Sequence, residues 1–358
     1  MSPRTAPPRP ASPAVLLALA LLAAPMAGRA APAAAPAASP PPPAPAAKAP
    51  EDKGSLTFLL ENDVFYDLDR HYTNGVELAW SPAVGDTPAW AGRTAARLPG
   101  FPADGAVRVA YALGQSLYTP DDITVKNPPK NAQPYAAWLH ASVGLLSERN
   151  GRRDQIALSL GIVGPAALGE ITQKTVHRIV GSPQPKGWDT QLDDEPAVLL
   201  LYQRSWRQAR GRGRGGYFAY DFTPHLSGAL GNVFTYADLG AVARFGHELP
   251  DDYGPLRIQP SLPGTGFRQG KARGTGFGWY LFGGVEGRAV IRNIFLDGNS
   301  FGDSRSVDKR TLVSELQVGL AVAWRDVSLA YTHVWRSAEF RSQDAYDEFG
   351  AISLSLRF

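Results

Sequence analysis

Two short stretches carry residue types that could do chemistry together. Leu60-Glu61-Asn62-Asp63 sets an amide beside a carboxylate, and Tyr72-Thr73-Asn74-Gly75 adds a hydroxyl and a second amide. Far along the chain, Gln173 and His177 lie four apart within a helical pattern, on one face and one turn apart. Carboxylate and amide oxygens are hard donors of the kind that hold Ca²⁺. A cation held there polarises a carbonyl, and a neutral imidazole beside it takes a proton from water. Asn62, Asp63, Thr73 and His177 therefore suit the hydrolysis of an ester. Each also has a plain structural reading. Asn-Asp commonly turns the chain at a strand end, a histidine on a surface helix is commonly just solvated, and threonine opens many strands. In a regular strand Asn62 and Asp63 point to opposite faces, so one site uses both only at a strand end or a bulge.

The elements that must position these residues are strands. The last residues, Ile352 to Phe358, alternate apolar Ile352, Leu354, Leu356 and Phe358 with Ser353, Ser355 and Arg357. A final alternating strand that ends on Phe is the closing pattern of bacterial outer-membrane barrels, with an apolar face to lipid and a polar face to the lumen. Alternating segments recur at 55–62, 73–82, 106–118, 135–147, 153–163, 196–207, 216–226, 234–246, 278–292, 310–324, 326–340 and 348–358. These are about twelve strands, an even number, as an up-and-down antiparallel barrel requires. No run after residue 30 is apolar and long enough for a membrane-spanning helix.

With both ends of the barrel periplasmic, odd-to-even connections face outward and the others should be short. Asn150-Gly151 and Arg325-Asp326 suit tight hairpins. Segments 83–105 and 247–277 are long for the periplasmic side. The outer connection 164–195 holds the one convincing helix. Ile171, Thr175 or Val176, and Ile179 or Val180 give it an apolar stripe, and Gly181 and Pro183 stop it. Parity then brings Asn62, Asp63, Thr73 and His177 to one rim.

The N-terminal end agrees with export. Arg4 and Arg9 precede an apolar stretch from Ala14 to Ala24, and Ala27-Gly28-Arg29-Ala30 offers small residues for cleavage, a signal peptide over 1–30. Residues 31–54 are an Ala/Pro-rich disordered linker, and 55–358 form the barrel. The chain has no Cys, which excludes disulfides and thiolate zinc sites. Its net charge of +3 resides in Arg4, Arg9 and Arg29. The rest is near neutral, which argues against nucleic acid as a partner.

The short motifs, with Gly164-Pro165 ahead of the helix and Gly187-Trp188-Asp189-x-Gln191-Leu192 after it, resemble the lipid A 3′-O-deacylase (LpxR) family over essentially the whole mature chain. That resemblance implies a twelve-stranded outer-membrane barrel, Ca²⁺ dependence, and removal of the 3′-linked acyloxyacyl group of lipid A at a site between barrel wall and loop helix. The family's Asn-Asp pair matches Asn62 and Asp63, its Thr matches Thr73 and its His matches His177. Gln173 is expected to orient the substrate or His177. The partners implied are lipopolysaccharide and, through the C-terminal strand, the barrel-assembly machinery.

Two positions depart from the family pattern. Pro183 stands where the family has an acidic residue, six after the His; Asp189, Asp193, Asp194 and Glu195 are the nearby carboxylates. The family's loop Lys has only Lys126 and Lys130 in its neighbourhood. Lys126, Lys130, Lys174, Arg178, Lys186 and Arg305 are candidates for lipid A phosphates. Gly298-Asn299-Ser300-Phe301-Gly302 imitates a hydrolase nucleophile elbow but lacks the following helix that motif needs. The competing readings are a non-enzymatic barrel, a pore or a structural protein, and a phospholipase-like barrel with a Ser nucleophile; a pore keeps its lumen open, whereas inward Arg108, Glu77, Glu286 and Arg288 are suited to a salt-bridged plug.

Overall fold

The computed structural model describes residues 53–63, 70–102, 106–213, 216–250, 252–254, 257–258 and 276–358. The expected signal peptide and all of the expected linker but Lys53 and Gly54 lie outside the described residues. Gly54 already belongs to the barrel, exchanging backbone hydrogen bonds with Phe358 (N to O 3.0 and 3.2 Å).

Thirteen strands form one antiparallel sheet. They are β1 Ser55–Asn62, β2 His71–Ser81, β3 Ala106–Thr119, β4 Ala136–Arg149, β5 Arg152–Val163, β6 Glu195–Trp206, β7 Ala209–Arg212, β8 Phe218–Gly231, β9 Phe234–His247, β10 Phe277–Asn293, β11 Leu312–Trp324, β12 Val327–Arg336 and β13 Asp347–Arg357. β6 and β7 are two lengths of one stave, since both pair with β8, interrupted at Arg207-Gln208. β1 pairs with β13 from Ser55↔Arg357 to Asn62↔Gly350, so the sheet closes on itself as a twelve-stave barrel. Every stave overlaps an expected segment. Asn150 and Gly151 both take positive φ (51° and 75°), as a two-residue hairpin of right-handed strands requires.

Alternation sorts the side chains as the pleat dictates. Leu78 and Trp80 point out while Glu77 and Ala79 are buried. Leu158, Leu160, Val318, Leu320, Leu354 and Leu356 are likewise exposed on the outer face. Among the described residues no helix is long and apolar enough to cross a membrane.

The two long connections at the end bearing Ser55 and Arg357 are not plain loops. Residues 82–105 include a helix, α1 Ala89–Ala95, beyond the single helix expected. Ala91 and Ala95, one turn apart, pack it on the outward residues Val109 and Leu145. The described part of the β9–β10 connection turns into the lumen. Asp252 pairs with Arg244, and Tyr253 donates to Glu148 Oε1 (2.9 Å) with Arg153 and Arg207 over its ring. Further in, the Ile258 amide donates to Glu61 Oε1 (2.8 Å), and Arg257 reaches Glu315 (2.7 Å) and Glu61 (3.6 Å).

Glu315 is the hub of this interior, accepting also from Arg336 (2.6 Å) and meeting Arg288 (3.4 Å), which itself binds Glu286 (2.5 Å). Toward the distal rim the lumen becomes apolar. Phe295, from a helical turn Ile294–Asp297 after β10, stacks on Tyr118 (3.7 Å) beside Leu192, Phe234 and Phe349. The ion cluster and this apolar layer bridge the interior among the described residues, which favours a plugged barrel over a pore.

Candidate active site

β1 ends at Asn62, which sits opposite Asn74 of β2 and Gly350 of β13. Asp63 continues past the strand. Its amide donates to the Thr73 carbonyl (3.3 Å), and its Oδ2 accepts from the Arg70 amide (2.7 Å). The β2–β3 register skips between Tyr72 and Asn74, leaving Thr73 as the extra residue of a β-bulge. Strand end and bulge together relieve the strict alternation that would separate Asn62 from Asp63. Thr73 Oγ1 hydrogen-bonds Thr119 Oγ1 (2.6 Å), and both residues are buried.

β3 leads from this cluster to the helix. Its outward row runs Tyr111, Leu113, Gln115, Leu117, and all but Gln115 are apolar. Gln115 is satisfied from outside, because its Nε2 donates to the Ala167 carbonyl of the β5–β6 connection (2.6 Å). Leu117, Ala137, Leu139 and Ile162 on β3, β4 and β5 are covered by Ala167 and Trp188 of the same connection. That connection therefore drapes over the outer wall, carrying helix α2 Gly169–Val180.

α2 lies close because Gly169 has no Cβ. One built there would meet Ala137 Cβ at 2.4 Å and the Trp188 ring at 2.6 Å. Gly169→Ala is expected to push the helix off the wall at a cost of about 1–3 kcal/mol. A lowered melting temperature with reduced turnover checks this; wild-type values for both would oppose it.

The buried side of α2 is Gly169, Gln173 and His177. The expected apolar stripe is not the packed one: Ile171, Val176, Ile179 and Val180 are all exposed. Gln173 Oε1 accepts from Trp188 Nε1 (2.8 Å). Gly181 ends the helix in the left-handed region (φ 76°), and Ser182 N returns to the His177 carbonyl (2.9 Å). The turn brings the Pro183 carbonyl to His177 Nδ1 at 2.6 Å. A carbonyl only accepts, so Nδ1 carries the proton and Nε2 is the basic nitrogen of the neutral ring.

At Pro183 it is thus the main chain that meets Nδ1 of His177. Three of the four nearby carboxylates have partners elsewhere. Asp189 is near Lys126 (4.0 Å), Asp194 Oδ1 caps the Ala166 amide (2.7 Å), and Glu195 accepts from Asn232 (2.7 Å) and the Ser300 amide (2.6 Å). Ser300 sits in an irregular connection with its Oγ bound to Arg292 (2.8 Å), so the elbow-like motif is a loop. Lys174 pairs with Glu170 on its own helix, and Arg305 holds the Pro128 and Pro129 carbonyls (both 2.6 Å).

The predicted residues form two groups. Asn62, Asp63 and Thr73 share the β1–β2 rim, and Gln173 and His177 share the wall side of α2. β3 joins them, bonded to Thr73 through Thr119 and lying under α2. Sequence reading missed Thr119 and Gln115. The signal for Gln115 was a polar residue in an otherwise apolar outward row.

A second fastening lies on the same rim. Buried His71 bridges Asp347 (Nδ1, 2.7 Å) and Asp121 (Nε2, 3.1 Å). The imidazole beside Asp121 holds its carboxyl below the usual carboxylate range. Among the described residues, the one His/carboxylate cluster of metal-binding compactness is His225, Asp238 and Glu286. It belongs to the lumen, where Arg288 already binds Glu286.

A closed twelve-stave barrel with an apolar outer face, a lumen bridged by ion pairs and a loop helix laid on its wall defines an outer-membrane β-barrel protein. The family model for outer membrane protein LpxR matches residues 16–358, and the chain belongs to that family. Among solved structures, LpxR from Salmonella typhimurium is similar, with a TM-score of 0.69, 21% identity, and coverage of 85% of this chain and 100% of that one. The β domain of the Bordetella autotransporter BrkA is more distant, with a TM-score of 0.39, 10% identity, and coverage of 86% and 98%. No curated protein sequence matches the chain significantly.

Proposed function

We propose that the protein is a lipid A deacylase that hydrolyses the 3′-linked acyloxyacyl ester of lipopolysaccharide at the distal rim, facing the cell exterior. The observation that carries this reading is the His177–Pro183 contact. It fixes the imidazole tautomer with Nε2 as base, on the wall side of a helix, beside strands that bring Asn62, Asp63 and Thr73 to the same rim. Export by the N-terminal signal and insertion by the barrel-assembly machinery through β13 complete the route to the outer membrane.

In the reaction, Nε2 of His177 takes a proton from water as the water oxygen bonds to the ester carbonyl carbon. The same proton then passes to the sugar oxygen as the acyl bond breaks. Gln173, held by Trp188, fixes the helix face on which the imidazole stands. Thr73 positions the rim and donates to the developing oxyanion.

The carboxylate of Asp63 and the side-chain carbonyl of Asn62 are hard oxygen donors, which fit Ca²⁺. When bound there, the ion supplies Lewis-acid stabilisation of the carbonyl oxygen. With one carboxylate in the set, affinity is expected to be weak, with Kd on the order of 10⁻⁴–10⁻³ M.

The test is mass spectrometry of lipid A from cells expressing the protein, with Ca²⁺ titrated or chelated, beside Asp63→Asn. Loss of an acyloxyacyl unit that needs submillimolar to millimolar Ca²⁺ and fails in Asp63→Asn is the expected result. Unchanged lipid A with a folded, surface-exposed barrel would overturn the reading.

A further inference from the structure

Helix α2 has three sides, and among the described residues only one of them is buried against protein. Gly169, Gln173 and His177 are buried on the wall. Helical spacing divides the remainder into a charged flank of Glu170, Lys174 and Arg178 and an apolar flank of Ile171, Thr175 and Ile179, which Thr172, Val176 and Val180 continue toward the wall. Ile171 and Ile179 are 65% and 78% exposed. In a helix that packs in water these would be the buried residues, with Gln and His outside. The inversion leaves the apolar flank without a partner among the described residues.

The neighbouring surface identifies that partner. α2 rests on outward positions of β3 and β4, and its connection covers Leu117, Leu139 and Ile162. The next apolar outward positions along β3 and β5 are Leu113 (59% exposed) and Leu160 (52%), part of the barrel's apolar outer band. The wall on which α2 rests thus carries the apolar outer band.

We propose that α2 is an interfacial helix, with its Ile171–Thr175–Ile179 flank among the acyl chains of the outer leaflet and Lys174 and Arg178 at phosphate depth. A helix with one apolar and one basic flank lies in the membrane plane in this way. The proposal rests on the distal rim facing outward and deepens the reading above. An ester at the acyl boundary then reaches His177 sideways from the leaflet, without leaving the membrane.

The chain has no cysteine, so single nitroxide labels report cleanly. Ile171→Cys, Ile179→Cys and Lys174→Cys are labelled in the full barrel, in bilayers of phospholipid and lipopolysaccharide. Collision with oxygen is compared with collision with a water-soluble nickel chelate. Leu160→Cys supplies the lipid reference and Phe301→Cys, on the distal β10–β11 connection, the aqueous one. Positions 171 and 179 are expected to match Leu160→Cys, with 174 shifted toward Phe301→Cys. An aqueous profile at 171 and 179 overturns the proposal. Shielding from both reagents overturns it too, by showing that a second copy of the chain covers the flank.

A turnover assay adds a second reading. Ile171→Asn with Ile179→Asn is expected to slow hydrolysis of bilayer lipid A roughly fivefold, as polar groups near a membrane interface cost modestly. Hydrolysis of detergent-dispersed lipid A should stay at the wild-type rate. Equal slowing in both settings counts against the proposal. Should the wild type hydrolyse neither, the deacylase reading fails while the label depths still decide the placement of α2.

Discussion

His177→Ala is expected to reduce lipid A deacylation by about 10²–10⁴-fold, the range a positioned general base contributes. The barrel should remain folded, because His177 lies on a connection outside the strand ladder. Heat-modifiable migration and surface protease resistance would check the fold, and mass spectrometry of lipid A the activity. Full activity in this variant would remove the proposed base. The partner of Nδ1 gives a finer comparison. It is the main-chain oxygen of Pro183, which any residue supplies. Pro183→Ala should therefore retain most activity, whereas Gly181→Val should lose much of it, since Gly181 holds φ 76° to bring that carbonyl round. A Pro183→Ala variant as inactive as His177→Ala would mean that the ring of Pro183 matters.

Glu315→Ala is expected to have the largest effect on stability. Glu315 is nearly inaccessible and faces Arg257, Arg288 and Arg336 inside the lumen. Removing one partner of a buried ion cluster leaves uncompensated charge and typically costs about 3–5 kcal/mol. The barrel should unfold at lower denaturant concentration than the wild type, and Arg257→Met added to Glu315→Ala should recover part of the loss. An unchanged transition would show that water reaches these guanidinium groups freely. The same network bears on the pore reading: wild-type protein should give no large steady conductance steps, since the cluster and the apolar layer around Phe295 lie across the lumen.

The strands were legible because each faces two unlike solvents, and a period of two records that contrast directly. The alternation of Val76, Leu78 and Trp80 with Glu77 and Ala79 is enough to place β2. Helix α2 was legible in position but not in orientation. Periodicity shows that Ile171 and Ile179 share a flank; it does not tell protein core from lipid, and here the flank is exposed. Helix α1 escaped notice because Ala91 and Ala95 are its only buried residues, and two alanines make no apolar stripe. The lumenal course of Tyr253 and Arg257 was invisible for another reason. Its partners Glu148, Glu61 and Glu315 are scattered along the chain and meet only when the sheet closes. At the site, the residue types of Asn62, Asp63, Thr73 and His177 suggested the chemistry. The bulge at Thr73 and the carbonyl contact of His177 are backbone geometry that no side-chain pattern encodes.

The pairing of β1 with β13 governs how the molecule comes into being. Thr57 meets Ser355 across 298 residues of chain, the contact of Oγ to Oγ being 2.8 Å. Contacts of such separation form late, because the whole intervening loop must first be ordered. Until β13 arrives, β1 presents an open row of amides and carbonyls that invites pairing with any other strand. Nascent chains therefore pass through an interval of vulnerability that lasts until the seam is joined. A chaperone that shields β1 over that interval would raise the yield of closed barrels more than any change within the strands themselves.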